Sequence, residues 1–149
     1  MIAVDTNVLV YAHRTDSPFH ARARATLESL AVGARPWAIP WPCAHEFFAV
    51  VTHPRIFRTA TPANVAFDQL RALHALQTLA FIGEGSDHLA RIEALALTGR
   101  IAGGAIHDAR IATICLSHGV AELWSADRDF SRFPALVIRN PLIEDMPRA

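Results

Sequence analysis

Five acidic side chains stand where their neighbours give little reason for an acid. Asp5 directly follows the short apolar run Ile2-Ala3-Val4. Glu46 is the only acid in the largely apolar stretch Pro42-Cys43-Ala44-His45-Glu46-Phe47-Phe48-Ala49-Val50-Val51, and the apolar Ala49 and Val50 at its i+3 and i+4 positions place it with them on an inward face. Asp108 leads a stripe made by Ile111, Ala112 and Cys115 at helical spacing. Asp127 and Asp129 follow Leu123-Trp124-Ser125 within Ser125-Ala126-Asp127-Arg128-Asp129-Phe130, a spacing that aims both toward one side of an extended turn. Each acid also has a purely structural reading. Asp5 caps the helix after it, Glu46 rolls into solvent, Asp108 complements a helix dipole, and the Asp127–Asp129 pair forms a surface turn.

The joint pattern carries more than its parts. Of the four sites, those of Asp5, Asp108 and Asp127 fall at a strand end or a helix start, where an open α/β sheet gathers its loops into one crevice. Carboxylates gathered within a few ångströms repel, and their pKa values rise unless a cation neutralises them. An all-oxygen set suits a hard divalent ion such as Mg²⁺ or Mn²⁺.

The elements that must position these acids follow from the apolar patterning. Short apolar runs at 2–4, 37–40, 79–82, 123–125 and 136–138 read as five strands. Between them lie helical patterns. One runs through Val8, Leu9 and Ala12, and a second spans about 18–32, capped by Ser17-Pro18 and ending near Gly33. A third opens at Pro42 and stops before Pro54, and a fourth runs from the Thr61-Pro62 cap to about Gln77. A fifth runs from a Ser86 or Asp87 cap to about Thr98, the Gly103-Gly104 pair breaks the chain, and a sixth covers 106–118 before Gly119. Strands alternating with helices predict an α/β fold: a central, mainly parallel five-stranded sheet flanked by helices on both faces, in one domain over 1–149. Arg22 and Arg24 are assigned to the solvent side of the second helix.

Composition narrows the chemistry. The 149 residues are 52% hydrophobic and 19% charged, too apolar for a disordered chain. The 14 acids balance 14 basic residues, so no global positive field exists and any nucleic-acid contact must be local. Every basic residue is Arg. Without Lys, the usual phosphate-binding P-loop and Schiff-base chemistry are excluded, whereas guanidinium recognition of phosphate remains open. Cys43 and Cys115 are widely separated with no C-x-x-C, so both read as reduced, buried thiols. No basic leader precedes an apolar stretch, and no run approaches the roughly 18 apolar residues of a membrane span. A soluble, cytoplasmic protein without a membrane role is expected.

These residues resemble a PIN domain, and in particular the VapC-type ribonuclease toxins of VapBC toxin–antitoxin pairs, over nearly the whole chain. The resemblance rests on Val4-Asp5-Thr6-Asn7-Val8-Leu9, Glu46, His107-Asp108-Ala109-Arg110-Ile111-Ala112 and Ser125-Ala126-Asp127-Arg128-Asp129-Phe130, in that order. It implies that Asp5, Glu46, Asp108 and Asp127 are catalytic and hold metal, with Asp129 a further metal ligand. Thr6, Asn7 and Ser125 match supporting polar positions, although capping or turn roles fit them equally. Ser125 stands where Thr is more usual, and His107 where a small residue is more usual.

The activity implied is Mg²⁺- or Mn²⁺-dependent hydrolysis of an RNA phosphodiester, with one ion or two, leaving a 5′-phosphate. Asp5 and Asp108 are assigned to direct ligation, and Glu46 and Asp127 to further ligation or to orienting water. The resemblance also implies a VapB-type antitoxin across the cleft, a toxin homodimer, and transfer RNA as a family-level substrate. Arg110, Arg128 and Arg132 are candidates for RNA phosphates, with ordinary solvated arginines as the alternative. Trp37 and Trp41 are assigned to the core, with base stacking as the alternative.

Competing readings have less support. A zinc-protease motif at His45-Glu46 needs a second His at position 49, which is Ala. A dehalogenase-like phosphatase needs a second Asp at position 7, which is Asn. A non-catalytic PIN-like module that binds RNA or protein is the remaining rival, and the intact acids argue against it.

Overall fold

The computed structural model describes residues 1–144. Its strands are β1 (Ile2–Val4), β2 (Trp37–Pro40), β3 (Leu79–Ile82), β4 (Glu122–Trp124) and β5 (Val137–Arg139). They form one sheet in the order β3-β2-β1-β4-β5, with every pairing parallel. The helices are α1 (Thr6–His13), α2 (His20–Val32), α3 (Trp41–Val51), α4 (Ala63–His74), α5 (His88–Gly99) and α6 (Ile106–Ser117). Single turns of 3₁₀ helix at Gly103–Ala105 and Arg128–Arg132 complete the set.

The topology explains where the helices lie. The chain steps outward from β1 to β2 to β3, then returns to β4 and continues to β5 on the other side of β1. Right-handed crossovers therefore place α1–α4 on one face and α5–α6 on the other. Contacts agree: α1 packs on α2 and α3, α3 packs on α4, and α5 packs on α6. The expected mainly parallel sheet, covered on both faces, is thus the observed architecture.

β1, β2 and β4 are apolar because helices cover both faces. Ile2, Ala3, Val4, Trp37, Ala38, Ile39, Leu123 and Trp124 are all buried. Phe47, Ala109, Ile114, Phe130 and Phe133 join that core. The strand order reverses between β1 and β4, whose register pairs Val4 with Trp124. The next residues, Asp5 and Ser125, therefore emerge side by side at the switch point.

Several boundaries differ from the sequence reading. Helix α2 starts at His20 because Ser17 makes a tight turn instead, its hydroxyl accepting from the Phe19 N–H and its carbonyl from the His20 N–H. Helix α4 ends at His74, short of Gln77. A turn from Leu76 to Leu79 then brings Thr78 to accept the Trp37 N–H and sets β3 in register with β2. Thr61 caps nothing; its hydroxyl meets the His13 ring at 3.0 Å. Asp87 occupies the N-cap of α5 without a side-chain capping bond. Strand β4 is Glu122–Trp124, shifted one residue back from 123–125, because Ser125 turns its side chain to Asp5. Strand β5 is shifted one forward from 136–138, because the Leu136 N–H is used in a turn to Phe133.

Helix α6 stops at Ser117 and is closed at Gly119, whose φ of +67° suits a residue without a Cβ. Arg22 does not simply face water, since its guanidinium donates to the carbonyl oxygens of Pro141 and Glu144. No helix among the described residues is long and apolar enough to cross a membrane.

Candidate active site

Asp5 is the fixed point of the site. It is the N-cap of α1, held in extended backbone geometry, and its side chain is only 4% exposed. Oδ1 accepts from the Thr6 N–H at 2.7 Å and from the Cys43 thiol at 3.5 Å. Oδ2 accepts from the Asn7 amide at 2.7 Å and the Ser125 hydroxyl at 2.6 Å. Burial outweighs these bonds and pushes the carboxyl up to about 6, with the nearby Glu46 charge adding to the rise. The capping reading and the chemical reading of Asp5 are therefore both realised in one side chain.

Ser125 and Asn7 tie β4 to α1. The Ser125 hydroxyl also accepts the Asp127 N–H at 2.9 Å and an Asn7 amide hydrogen at 3.0 Å, while the Asn7 carbonyl accepts the Ala126 N–H at 3.0 Å. These bonds fix the backbone leading to Asp127. The Asp127 side chain then caps the 3₁₀ turn by accepting the Asp129 N–H at 2.8 Å.

Helix α3 supplies Glu46, and the expectation that it points inward needs correcting. The side chain is exposed, because α3 buries Cys43, Ala44, Phe47 and Val51 and leaves the Glu46 flank facing the crevice. It is nevertheless held there, since the Thr6 hydroxyl donates to its Oε2 at 2.7 Å. Asp108 sits in the first turn of α6, half-buried. Burial raises its pKa first, followed by the charges of Asp127, Asp129 and, more weakly, Glu46, while Arg132 opposes them.

Asp5, Glu46, Asp108 and Asp127 thus arrive from four separate elements and line one cleft of about 350 Å³. Val10, Val50, Ile56, Phe57, Ile111 and Phe130 give it an apolar wall. Asp129 does not line this cleft; it is exposed and pairs with Arg132 at 3.4 Å. Among the described residues, no three His, Cys, Asp or Glu side chains are already drawn together closely enough to hold an ion. The donor set is nonetheless all carboxylate. Asp5 is locked, while Asp108, Glu46 and Asp127 stand on the rim.

The arginines divide. Arg110 pairs with Glu84, Arg132 lies beside Asp129 and influences Asp108, and Arg128 is exposed. Trp37 is fully buried as expected, but Trp41 is not a core residue: it is 40% exposed in the first turn of α3. Cys43, beneath Asp5, and Tyr11 and Phe57, in the cleft wall, had no sequence signal beyond apolar spacing. Cys43 and Cys115 are both free and buried.

The chain and its fold are similar to known proteins. The chain is 38% identical over 142 residues to ribonuclease VapC43 of Mycobacterium tuberculosis, covering 95% of this chain and 96% of that one. Its fold matches VapBC2 from Rickettsia felis, solved bound to promoter DNA, with a TM-score of 0.69 at 21% identity over 94% of this chain and 98% of that one. A toxin–antitoxin complex from Klebsiella pneumoniae matches with a TM-score of 0.62 at 21% identity, covering 95% and 98%. The PIN domain family model matches residues 2–136, and the chain belongs to that family.

Proposed function

We propose that the acidic cleft is the active site of a Mg²⁺- or Mn²⁺-dependent endoribonuclease, the toxin of a VapBC-type pair, held in check by a VapB-type antitoxin. The observation that carries this reading is the convergence of Asp5, Glu46, Asp108 and Asp127 on one cleft. The VapC43 likeness, whose name is that of a ribonuclease, and the toxin–antitoxin complex among the structural matches support the activity and the partner. A homodimer and a transfer-RNA substrate are part of the same proposal.

The residues present suit a hard divalent cation. Asp5 and Asp108 are protonated more readily than ordinary carboxyls, and a cation in the cleft would relieve the burial and mutual repulsion responsible. In our reading Asp5 and Asp108 hold the ion, with Glu46 and Asp127 completing its shell or orienting water and Asp129 as an outer member. When bound, such an ion supplies Lewis-acid stabilisation of the phosphate and a more acidic water.

The protein's own contribution is positioning. Asn7, Ser125 and the Thr6 N–H hold Asp5. The Thr6 hydroxyl sets Glu46, and the Ser125 hydroxyl sets the backbone at Asp127. The wall of Val10, Val50, Phe57 and Phe130 limits bulk water on one side. Arg132 offers a cation beside the acids for an RNA phosphate.

The test is cleavage of 5′-labelled structured RNA by native protein and Asp108→Asn, in Mg²⁺ and in EDTA. Cleavage leaving 5′-phosphates, confined to native protein with metal, is expected. Equal cleavage by Asp108→Asn rejects the site, and RNA binding without cleavage under any condition supports a non-catalytic module instead.

A further inference from the structure

One aromatic ring of the cleft wall is backed by a fixed cation. Phe57 lines the cleft and is half-buried. The guanidinium carbon of Arg14 lies over its ring, 4.1 Å from the centroid. That guanidinium is held in place, since Nε and one terminal nitrogen donate to the two Asp16 carboxylate oxygens at 2.9 and 2.6 Å and the other terminal nitrogen donates to the Thr59 carbonyl at 2.7 Å. The backbone is pinned as well. The His53 carbonyl accepts the Ile56 and Phe57 N–H groups, and the Thr61 N–H donates to the Val51 carbonyl at 2.8 Å, closing the turn onto α3. Arg14 does not line the cleft, so the part of the ring that Phe57 gives to the cleft is not the face that Arg14 covers.

Two helices lead from the acids to this ring. On α1, Asn7, Val10 and Tyr11 line the cleft, and Arg14 continues their spacing of three and four residues, so one stripe runs from the Asp5 end of the helix to the cation behind Phe57. On α3, Glu46 and Val50 line the cleft four residues apart, and the turn that carries Ile56 and Phe57 follows the end of that helix. Tyr11 stands about 9 Å beyond Asp5 along the α1 axis. The cleft thus has its fixed carboxylate at one end of α1 and an aromatic surface toward the other.

We propose that the cleft side of Phe57, backed by Arg14, holds an unpaired base of the RNA substrate while the acids hold the neighbouring phosphate. This inference rests on the ribonuclease reading above. A phosphate gains nothing from an apolar ring, whereas every base has a π-face that stacks on one. Such faces are free only where RNA is single-stranded or splayed, so the ring selects loops and bulges over continuous duplex. The guanidinium and the closed turn already fix the ring, so binding a base orders little that was not ordered before.

The experiment uses the full chain in Mg²⁺ with a pool of 5′-labelled RNA hairpins whose loops are randomised. The position cut by native protein is mapped, and each loop nucleotide beside it is replaced in turn by an abasic one. At one of these positions loss of the base should lower kcat/KM of native protein about tenfold or more, through KM rather than kcat. Phe57→Leu keeps an apolar wall without a π-face. It should lower kcat/KM on the intact hairpin by a similar factor and lose nothing further on that abasic hairpin, while Phe57→Tyr restores most of the loss. 5-Iodouracil at the same position should crosslink to Phe57 of native protein on irradiation, read by mass spectrometry. Thermal melts show whether Phe57→Leu folds, and Phe57→Tyr with the crosslink serves if it does not.

If native protein cleaves, and Phe57→Leu either matches it on every hairpin or loses the same factor on intact and abasic hairpins alike, the base platform is refuted and the ribonuclease reading stands. If Phe57→Leu weakens only inhibition by the paired antitoxin, the surface belongs to that protein, which also refutes the platform. If the hairpins bind without being cut, the same substitutions read by anisotropy decide it: an abasic loss that is absent from Phe57→Leu supports the platform, and equal affinities refute it. A native protein that neither binds nor cleaves the hairpins removes both proposals.

Discussion

Asp5 should make the metal-free protein less stable as pH rises, opposite to the behaviour of a paired surface carboxylate. Its pKa moves from the ordinary 3.8 in the unfolded chain to about 6 in the fold. Between those values the native state keeps a proton that the unfolded state has released. Stability therefore falls across roughly pH 4 to 6, and the full cost is present at neutral pH. At about 1.4 kcal/mol per tenfold change, the loss is about 3 kcal/mol. For a chain of this size that corresponds to a Tm lower by about 6–12 °C at pH 7.5 than at pH 4 from this group alone.

Other groups titrate over the same range, so the informative quantity is a difference in slopes. Urea denaturation in EDTA at half-unit pH steps should show a falling component in native protein that is missing from Asp5→Asn. Asparagine also disturbs the bonds from Ser125 and Asn7 and shifts the absolute stability, but it cannot titrate. Millimolar Mg²⁺ or Mn²⁺ should raise native stability at pH 7.5, with less effect on the variant. Parallel stability–pH curves for the two proteins in EDTA would refute the reasoning.

Three further outcomes are expected. Ser125→Ala removes the buried hydroxyl that holds Asp5 and leaves the partly buried Asp127 N–H without its partner. It should cost about 1–3 kcal/mol by urea denaturation and steepen the loss of stability with pH. Thr6→Val keeps side-chain shape and removes the donor to Glu46. It should fold normally yet bind Mn²⁺ about tenfold more weakly by calorimetry, with Thr6→Ser restoring affinity. Phe130→Ala opens a cavity under the 3₁₀ turn that carries Asp129 and should cost about 3–5 kcal/mol, read as a lower denaturation midpoint.

Much of the fold was legible because the sheet is buried on both faces, so its strands stand out as short apolar runs bounded by polar turns. Asp5 and Asp127 were legible for the same reason: each acid follows such a run, and the switch between β1 and β4 brings the two strand ends together. Glu46 was harder. Helical spacing placed it with Ala49 and Val50, but which flank α3 buries is decided by Cys43, Ala44, Phe47 and Val51 packing on distant elements. Strand ends at Ser125 and Leu136 slipped by one residue because long-range and turn hydrogen bonds, invisible to propensity, claim those groups. Trp41 carried an aromatic signal typical of a core, and only its position ahead of α3's buried flank leaves it at the surface.

Calorimetric titration with Mn²⁺ at pH 7.5 tests most directly whether four carboxylates from four elements share a cation. The account predicts saturable binding to native protein, weakened at least about tenfold by each of Asp5→Asn, Glu46→Gln, Asp108→Asn and Asp127→Asn. Binding unchanged in Asp108→Asn and Asp127→Asn, or no binding to the folded native protein, would contradict it.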